Sequence, residues 1–285
     1  MRLIRLLVRG LLLAAGLLIF ASAGNSQDSQ ILMPAQSAAK AKQLLQEVIQ
    51  AMGGDAYLGV KDVTIVGRMG QFGHSGDLTG YVAFWDYNKL PDKDLTEYGG
   101  KRNIVESYNG DHGWTMDRGG VSDAPESSIE QHKEDLKTDL DMILRFRIKE
   151  PGMNFRYGGP DVVDLKQADW VELSDSDGRT IRIAVSQSTH LPIQERVESR
   201  DPTYHTRSVL TTYFSNFHSI QGIQSPFQVS RERNGAKIFQ AFFDDFKYNT
   251  GLNDMMFTRQ ELENRYARMK DKYKGDKKNK DKEKD

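Results

Sequence analysis

Residues 236–248 run Ala-Lys-Ile-Phe-Gln-Ala-Phe-Phe-Asp-Asp-Phe-Lys-Tyr, thirteen positions without glycine or proline and dense in aromatic side chains. That composition reads as a β-strand. Side chains alternate faces along a strand, so Phe239, Ala241 and Phe243 are expected on one face and Ile238, Phe242, Phe246 and Tyr248 on the other. A strand apolar on both faces has to be covered on both. A helix can supply one cover. A bound ligand, a partner or more of the protein's own core can supply the other.

Strand signals continue upstream. Trp170–Leu173 and Thr180–Val185 are joined by the turn string Asp175-Ser176-Asp177-Gly178, and Leu191–Ser199, Thr206–Phe214 and Ile223–Arg231 follow. Nearer the N-terminus lie Val60–Met69, Leu78–Tyr87 and Asn103–Tyr108, the last running into Asn109-Gly110, a hairpin signal, before the chain resumes at Trp114. Three helices punctuate this pattern. The first spans about 38–52 behind Ser37 as N-cap, with Ala41, Leu44, Leu45, Val48, Ile49 and Met52 in one stripe and Gly53-Gly54 as its stop. The second spans Ser127 to Arg147, opened by Ser127 and Glu130 as a capping box, with Ile129, Leu136, Leu140, Ile143 and Leu144 on one face. Thr258 and Glu261 cap a short third carrying Leu262, Tyr266 and Met269. Antiparallel strands with single-faced helices predict an α+β protein, the helices covering one face of a curved sheet. It forms a single domain over residues 37–269, after a flexible lead-in at 24–36 and before a disordered lysine-rich tail at 270–285.

Few enzyme chemistries survive inspection. There is no cysteine, which removes disulfides, thiolate nucleophiles and cysteine zinc sites. No two of the six histidines stand at a metal-binding helical spacing. Ser37-Ala38-Ala39-Lys40 has the Ser-x-x-Lys spacing but lacks the partner motifs. Gly73-His74-Ser75-Gly76-Asp77 has aspartate where a nucleophile elbow needs glycine. Asp175-Ser176-Asp177-Gly178 opens like a calcium loop, but Ala184 stands where the bidentate glutamate belongs. Asp244 and Asp245 are neighbours on a strand and face opposite ways. The chain carries a net charge of −1. Residues 1–23 contribute +3 and residues 270–285 another +3, which leaves −7 on the body. That is the opposite of a nucleic-acid footprint. No catalytic residue, cofactor or metal is expected.

The order of elements, with three motifs, resembles the outer-membrane lipoprotein-sorting superfamily, the LolA/LolB-like fold. Gly222-Ile223-Gln224-Ser225-Pro226 is similar to that group's Gly-Ile-x-x-Pro strand start. Asn249-Thr250-Gly251-Leu252-Asn253-Asp254-Met255-Met256-Phe257 is similar to its closing signature, and Leu191-Pro192-Ile193 to the segment from which a strand departs. The resemblance implies an unclosed antiparallel β-barrel whose concave face, lidded by helices, holds acyl chains. The lining residues it suggests are Trp85, Trp114, Phe155, Ile183, Phe227, Phe239 and Phe243. It implies a non-enzymatic carrier of a lipid or of the acyl chains of a lipoprotein. The alternatives are an envelope sensor or protein-interaction module on the same fold and, further off, a hydrolase. The chain departs from a minimal carrier in its acidic insert between Val121 and Glu150 and in its lysine-rich tail.

Residues 1–23 have the parts of a secretory signal. Arg2, Arg5 and Arg9 form a basic start, Leu11–Phe20 an apolar run, and Ala21-Ser22-Ala23 a small-residue cleavage pattern. The apolar run is about ten residues, short of the roughly 20 that span a bilayer. The expectation is a periplasmic protein with no membrane anchor after cleavage.

Overall fold

The computed structural model describes residues 32–73, 76–200 and 207–282. The expected signal peptide, most of the lead-in, and His74 and Ser75 of the elbow-like string lie outside them. Among the described residues no helix is long and apolar enough to cross a membrane.

One antiparallel sheet of thirteen strands organises the protein. Its first group is β1 (Asp62–Phe72), β2 (Leu78–Lys89), β3 (Lys93–Tyr98), β4 (Ile104–Asn109), β5 (His112–Asp117) and β6 (Gly120–Asp123). The second is β7 (Asn154–Val163), β8 (Lys166–Ser174), β9 (Thr180–Ser186), β10 (Pro192–Arg200), β11 (Arg207–Ile220), β12 (Ile223–Arg233) and β13 (Ala236–Tyr248). Each group is a meander, and pairing of β1 with β13 joins them into the order 6-5-4-3-2-1-13-12-11-10-9-8-7. The sheet is curved and does not close, so β6 and β7 remain as edges. With its five helices this is the α+β unclosed barrel the sequence predicts.

Helix α1 (Pro34–Met52) buries every residue of the predicted stripe. It starts three residues before Ser37, which is therefore inside the first turn and buried. There the Ser37 hydroxyl accepts a hydrogen bond from the Tyr157 N–H of β7 at 3.0 Å, tying the helix to the sheet instead of capping it. At its other end Gly53 takes φ +130°, and a Cβ there would stand 2.5 Å from the carbonyl oxygen of Gly222 in the β11–β12 turn. A one-turn helix, α2 (Asp55–Leu58), follows. The predicted second helix is two: α3 (Glu126–Thr138) and α4 (Leu140–Arg145). Asp139 breaks it with extended backbone and recaps it, its Oδ1 accepting from Met142 N–H at 3.0 Å. Turns fall where expected at Gly110 (φ +59°) and Gly178 (φ +79°). Asp175 Oδ1 accepts from the N–H groups of Asp177 and Arg179, so that string is a hairpin turn.

Two helical layers cover different faces. Leu44, Leu45, Val48 and Ile49 of α1 and Ile143 and Leu144 of α4 pack with Val171, Leu173, Ile181, Ile183, Phe246 and Tyr248 on the inner face. On the outer face Phe257 and Leu262, the latter from α5 (Arg259–Lys282), pack on Leu95, Val105 and Met116. Thr258 Oγ1 accepts from Glu261 N–H at 3.3 Å, the cap the sequence predicts. The helix then continues to Lys282, so most of the lysine-rich segment read as disordered is helical. Acids and lysines interleaved at three- and four-residue spacing favour that conformation. The motif after β13 also has a clear role. Buried Asp62 accepts from Thr250 N–H (2.7 Å), Thr250 Oγ1 (3.0 Å), Gly251 N–H (3.0 Å) and Leu252 N–H (3.4 Å), and so folds the closing loop back onto β1.

Candidate functional site

The expected two-sided strand proves to be mostly one-sided. Val66 of β1 pairs with Asp245, and the next residue, Gly67, pairs with Phe243. Asp244 is therefore an extra residue in β13, a β-bulge, and alternation changes phase there. Phe239, Ala241 and Phe243 before the bulge share the inner face with Phe246 and Tyr248 after it. Phe243 and Phe246 pack with ring centroids 5.2 Å apart, and Phe246 stacks on Tyr248 at 6.2 Å. Phe242 stays outside, 5.8 Å from Tyr81. Gly67 faces the bulge and leaves room for Phe84 and Phe243, whose rings meet edge-on at 6.0 Å. A Cβ on Gly67 would lie 2.4 Å from the Phe242 carbonyl oxygen and 3.1 Å from the Phe84 ring.

These rings belong to a larger inner surface. Phe227 packs on Phe246 at 5.3 Å. Val63, Ile65, Phe155, Phe214, Phe217, Phe227 and Phe243 are half-buried, while the residues beneath α1 and α4 are closed off. Of the expected lining, Phe155, Phe227 and Phe243 fall on this surface, and Phe239 lies on the same face beside Arg231. Ile183 also points inward but is fully buried in the packed core. Trp85 and Trp114 are on the outer face and leave the candidate lining. Trp85 pairs with Val66 and Glu97 and lies under the Arg102 guanidinium, and Trp114 packs in the cluster beneath α5. A tryptophan's size says nothing about which side of the sheet it occupies.

The inner face is not uniformly apolar. Over β2–β4 it carries Asp86, Asp94 and Glu106, with Thr96 Oγ1 donating to Asp86 at 3.0 Å and Tyr98 OH to Glu106 at 3.1 Å. Burial, and for Asp94 also the neighbouring Asp86, raises both aspartates above the ordinary carboxylate range. His132 of α3 covers this patch, stacked on Tyr108 at 4.2 Å and shifted down by burial. At the N-terminus of α4, the Asp139 carboxyl is raised to about 6, first by the protein groups that keep water from it and then by Asp141, although part of the residue reaches solvent. Glu195 of β10 is raised well above its usual value by burial, then by Asp139, against the lowering effect of Arg231. Sequence reading passed over Glu195. Its signal was available, since Val197 sets an inward phase along β10 that Glu195 shares. Among the described residues no three His, Cys, Asp or Glu side chains converge as a metal-ligand set.

An open, helix-lined sheet with a partly accessible aromatic interior has solved counterparts. A DUF1329 family protein from Desulfovibrio piger aligns with a TM-score of 0.56 at 16% identity, covering 78% of this chain and 98% of its own. An outer membrane lipoprotein-sorting protein domain from Vibrio parahaemolyticus aligns at 0.56 with 13% identity, covering 79% and 99%. A LolA superfamily protein from Nitrosomonas europaea aligns at 0.52 with 13% identity, covering 78% and 99%. The protein has the LolA-like fold. The resemblance carried by the glycine-isoleucine and closing-loop motifs thus holds at the level of architecture. No family model and no curated protein matches the sequence. In this sheet the half-buried aromatic side chains lie on the side that α1 and α4 cover.

Proposed function

We propose that this protein is a periplasmic carrier that holds an apolar ligand, a lipid or the acyl chains of a lipoprotein, on the inner face of its sheet without chemical change. One observation carries the proposal: Phe155, Phe214, Phe217, Phe227 and Phe243 all stay half-buried on the inner face, packed against the closed core under α1 and α4. Soluble proteins rarely leave large apolar groups partly open without a ligand or partner to cover them. Clefts of this kind, apolar with few polar groups, suit acyl chains, and each buried methylene contributes about 0.8 kcal/mol. Export is supported by the signal-like residues 1–23, and carriage by the LolA-like fold. Transfer needs only a recipient that binds the chain more tightly.

The test is binding of 1,6-diphenylhexatriene, an apolar fluorophore that brightens on leaving water, to the wild type and to Phe243→Asp. The wild type is expected to bind it and to release it to added acyl lipid. The variant, with an unchanged circular dichroism spectrum, loses binding. A wild type that does not bind the probe overturns the proposal and leaves protein interaction as the use of this face.

A further inference from the structure

Glu195 places on the apolar face a carboxyl whose Oε1 has no hydrogen-bond partner among the described residues. In the sheet it pairs with Ile183 of β9 and Thr212 of β11. Thr212 pairs with Arg231 of β12, and Arg231 with Phe239 of β13. Residues directly opposed across antiparallel strands share a face, so these five form one row across the interior. Flanking it are Ile181, Val197 and Leu210 to one side, a row that ends on β12 at Arg233, and Phe214, Val229 and Ala241 to the other. Glu195 is 5% exposed, and among the described residues its Oε1 has no hydrogen-bond partner. Thr212 beside it is buried. Asp139, capping α4, and Arg231, with its guanidinium 5.6 Å from the Phe239 ring centroid, are exposed. The row thus passes from a buried carboxyl to a solvent-facing cation.

Buried polar atoms are almost always partnered, and one left alone calls for a cause. We propose that Glu195, Thr212 and Arg231 form the polar end of the acyl site. They bind the head of an uncharged amphiphile, an ester or amide carbonyl beside an O–H or N–H donor. This rests on the inner face being an acyl-chain site. The donor serves Glu195 Oε1, and the guanidinium of Arg231 serves the carbonyl. Burial favours the neutral form of Glu195, and Asp139 and Arg231 carry opposite charges, so the pole as a whole favours a head without net charge. A carboxylate head would stand next to Asp139.

The experiment displaces 1,6-diphenylhexatriene from the wild type, Glu195→Gln and Glu195→Met with two twelve-carbon esters. 1-Monolauroylglycerol carries hydroxyl donors beside its ester, and methyl laurate carries none. The quantity read is the ratio of their displacing concentrations, which cancels the general apolarity of each ester within one protein. Glutamine keeps an acceptor oxygen of the same reach, whereas methionine fills the volume without one. The preference for the glycerol ester is expected to fall about tenfold in Glu195→Met, the scale of one buried hydrogen bond, and to persist in Glu195→Gln. Unchanged displacement by methyl laurate shows that the Met variant is folded. An equal ratio in wild type and Glu195→Met overturns the polar end while the acyl site stands. Failure of the wild type to bind the fluorophore overturns the acyl site, and this inference with it.

Discussion

Inserting one residue after Asp244 should do far more damage than replacing Asp244. The residue is exposed, and it shifts the phase of β13 by one position between Phe243 and Asp245. With one alanine added between Asp244 and Asp245, alternation carries Phe246 and Tyr248 to the outer face and turns Asp245 and Lys247 inward, because a one-residue slip moves every side chain to the other side. Phe246 and Tyr248 are 6% and 8% exposed in the folded protein. Removing a large aromatic from a core costs about 3–5 kcal/mol, so the two together lose about 6 kcal/mol or more before the inward charges are counted. That is comparable to the whole stability of an ordinary domain, about 5–15 kcal/mol. If the added residue is looped out with Asp244 instead, the bulge holds two extra residues and the ladder to β1 is disrupted more widely, so either route is costly. Asp244→Ala leaves the backbone count intact and should stay within about 1 kcal/mol of wild type, like most surface changes. Urea unfolding followed by tryptophan fluorescence and circular dichroism separates the two variants. An insertion variant whose midpoint corresponds to a loss below about 1 kcal/mol would refute the one-residue phase shift as the cause of the single apolar face.

Asp62→Ala leaves three backbone N–H groups and the Thr250 hydroxyl without their acceptor. A loss of about 3 kcal/mol or more is expected; a urea midpoint near wild type would show that the closing loop does not depend on it. Gly67→Ala forces a methyl to 2.4 Å from the Phe242 carbonyl oxygen and should cost about 1–3 kcal/mol by overpacking, read in the same assay. Asp139 and Glu195 hold their protons more tightly folded than unfolded. Their contribution is therefore complete below the ordinary carboxylate range. As pH rises it is lost, through about 6 for Asp139 and well above the ordinary carboxylate range for Glu195. Glu195→Gln should accordingly gain stability relative to wild type as pH rises from 4 to 8, and parallel pH profiles would contradict this. Trp85 and Trp114 lie on the outer face, and so does Trp170, in a cluster with Ala184 and under the Arg182 and Arg196 guanidiniums. A brominated acyl chain in the cavity should leave tryptophan emission unchanged, and strong quenching would put the ligand on the other side.

Local patterns carried much of the architecture. The stripe of α1, the turns at Gly110 and Gly178, and the cap at Thr258 depend on neighbours within a few residues, which is the range over which a sequence is informative. What escaped depends on partners far away in the chain. The bulge at Asp244 exists because Gly67, nearly 180 positions upstream, faces two rings, so strict alternation put Phe246 on the wrong side. Asp139 interrupts a continuous apolar face because α4 has to turn onto the sheet, although its capping aspartate was visible. The tryptophans were grouped with the lining by apolar size, whereas the registers of β2 with β3 and β4 with β5 put them outside. Strand β3, whose inner residues Asp94, Thr96 and Tyr98 are polar, escaped because its apolar signal is essentially Leu95 alone. Glu195 was missed because a glutamate in a strand is ordinarily solvated, and only the three-dimensional row shows it enclosed.

The central claim is that the inner face holds an acyl ligand. Native mass spectrometry of protein gently purified from a periplasmic extract, followed by lipid extraction of the same sample, tests it most directly. The account predicts a bound mass that extracts as an acylated species and is missing from a folded Phe243→Asp variant. A clean ligand-free mass, together with no uptake of added acyl lipid, would contradict it.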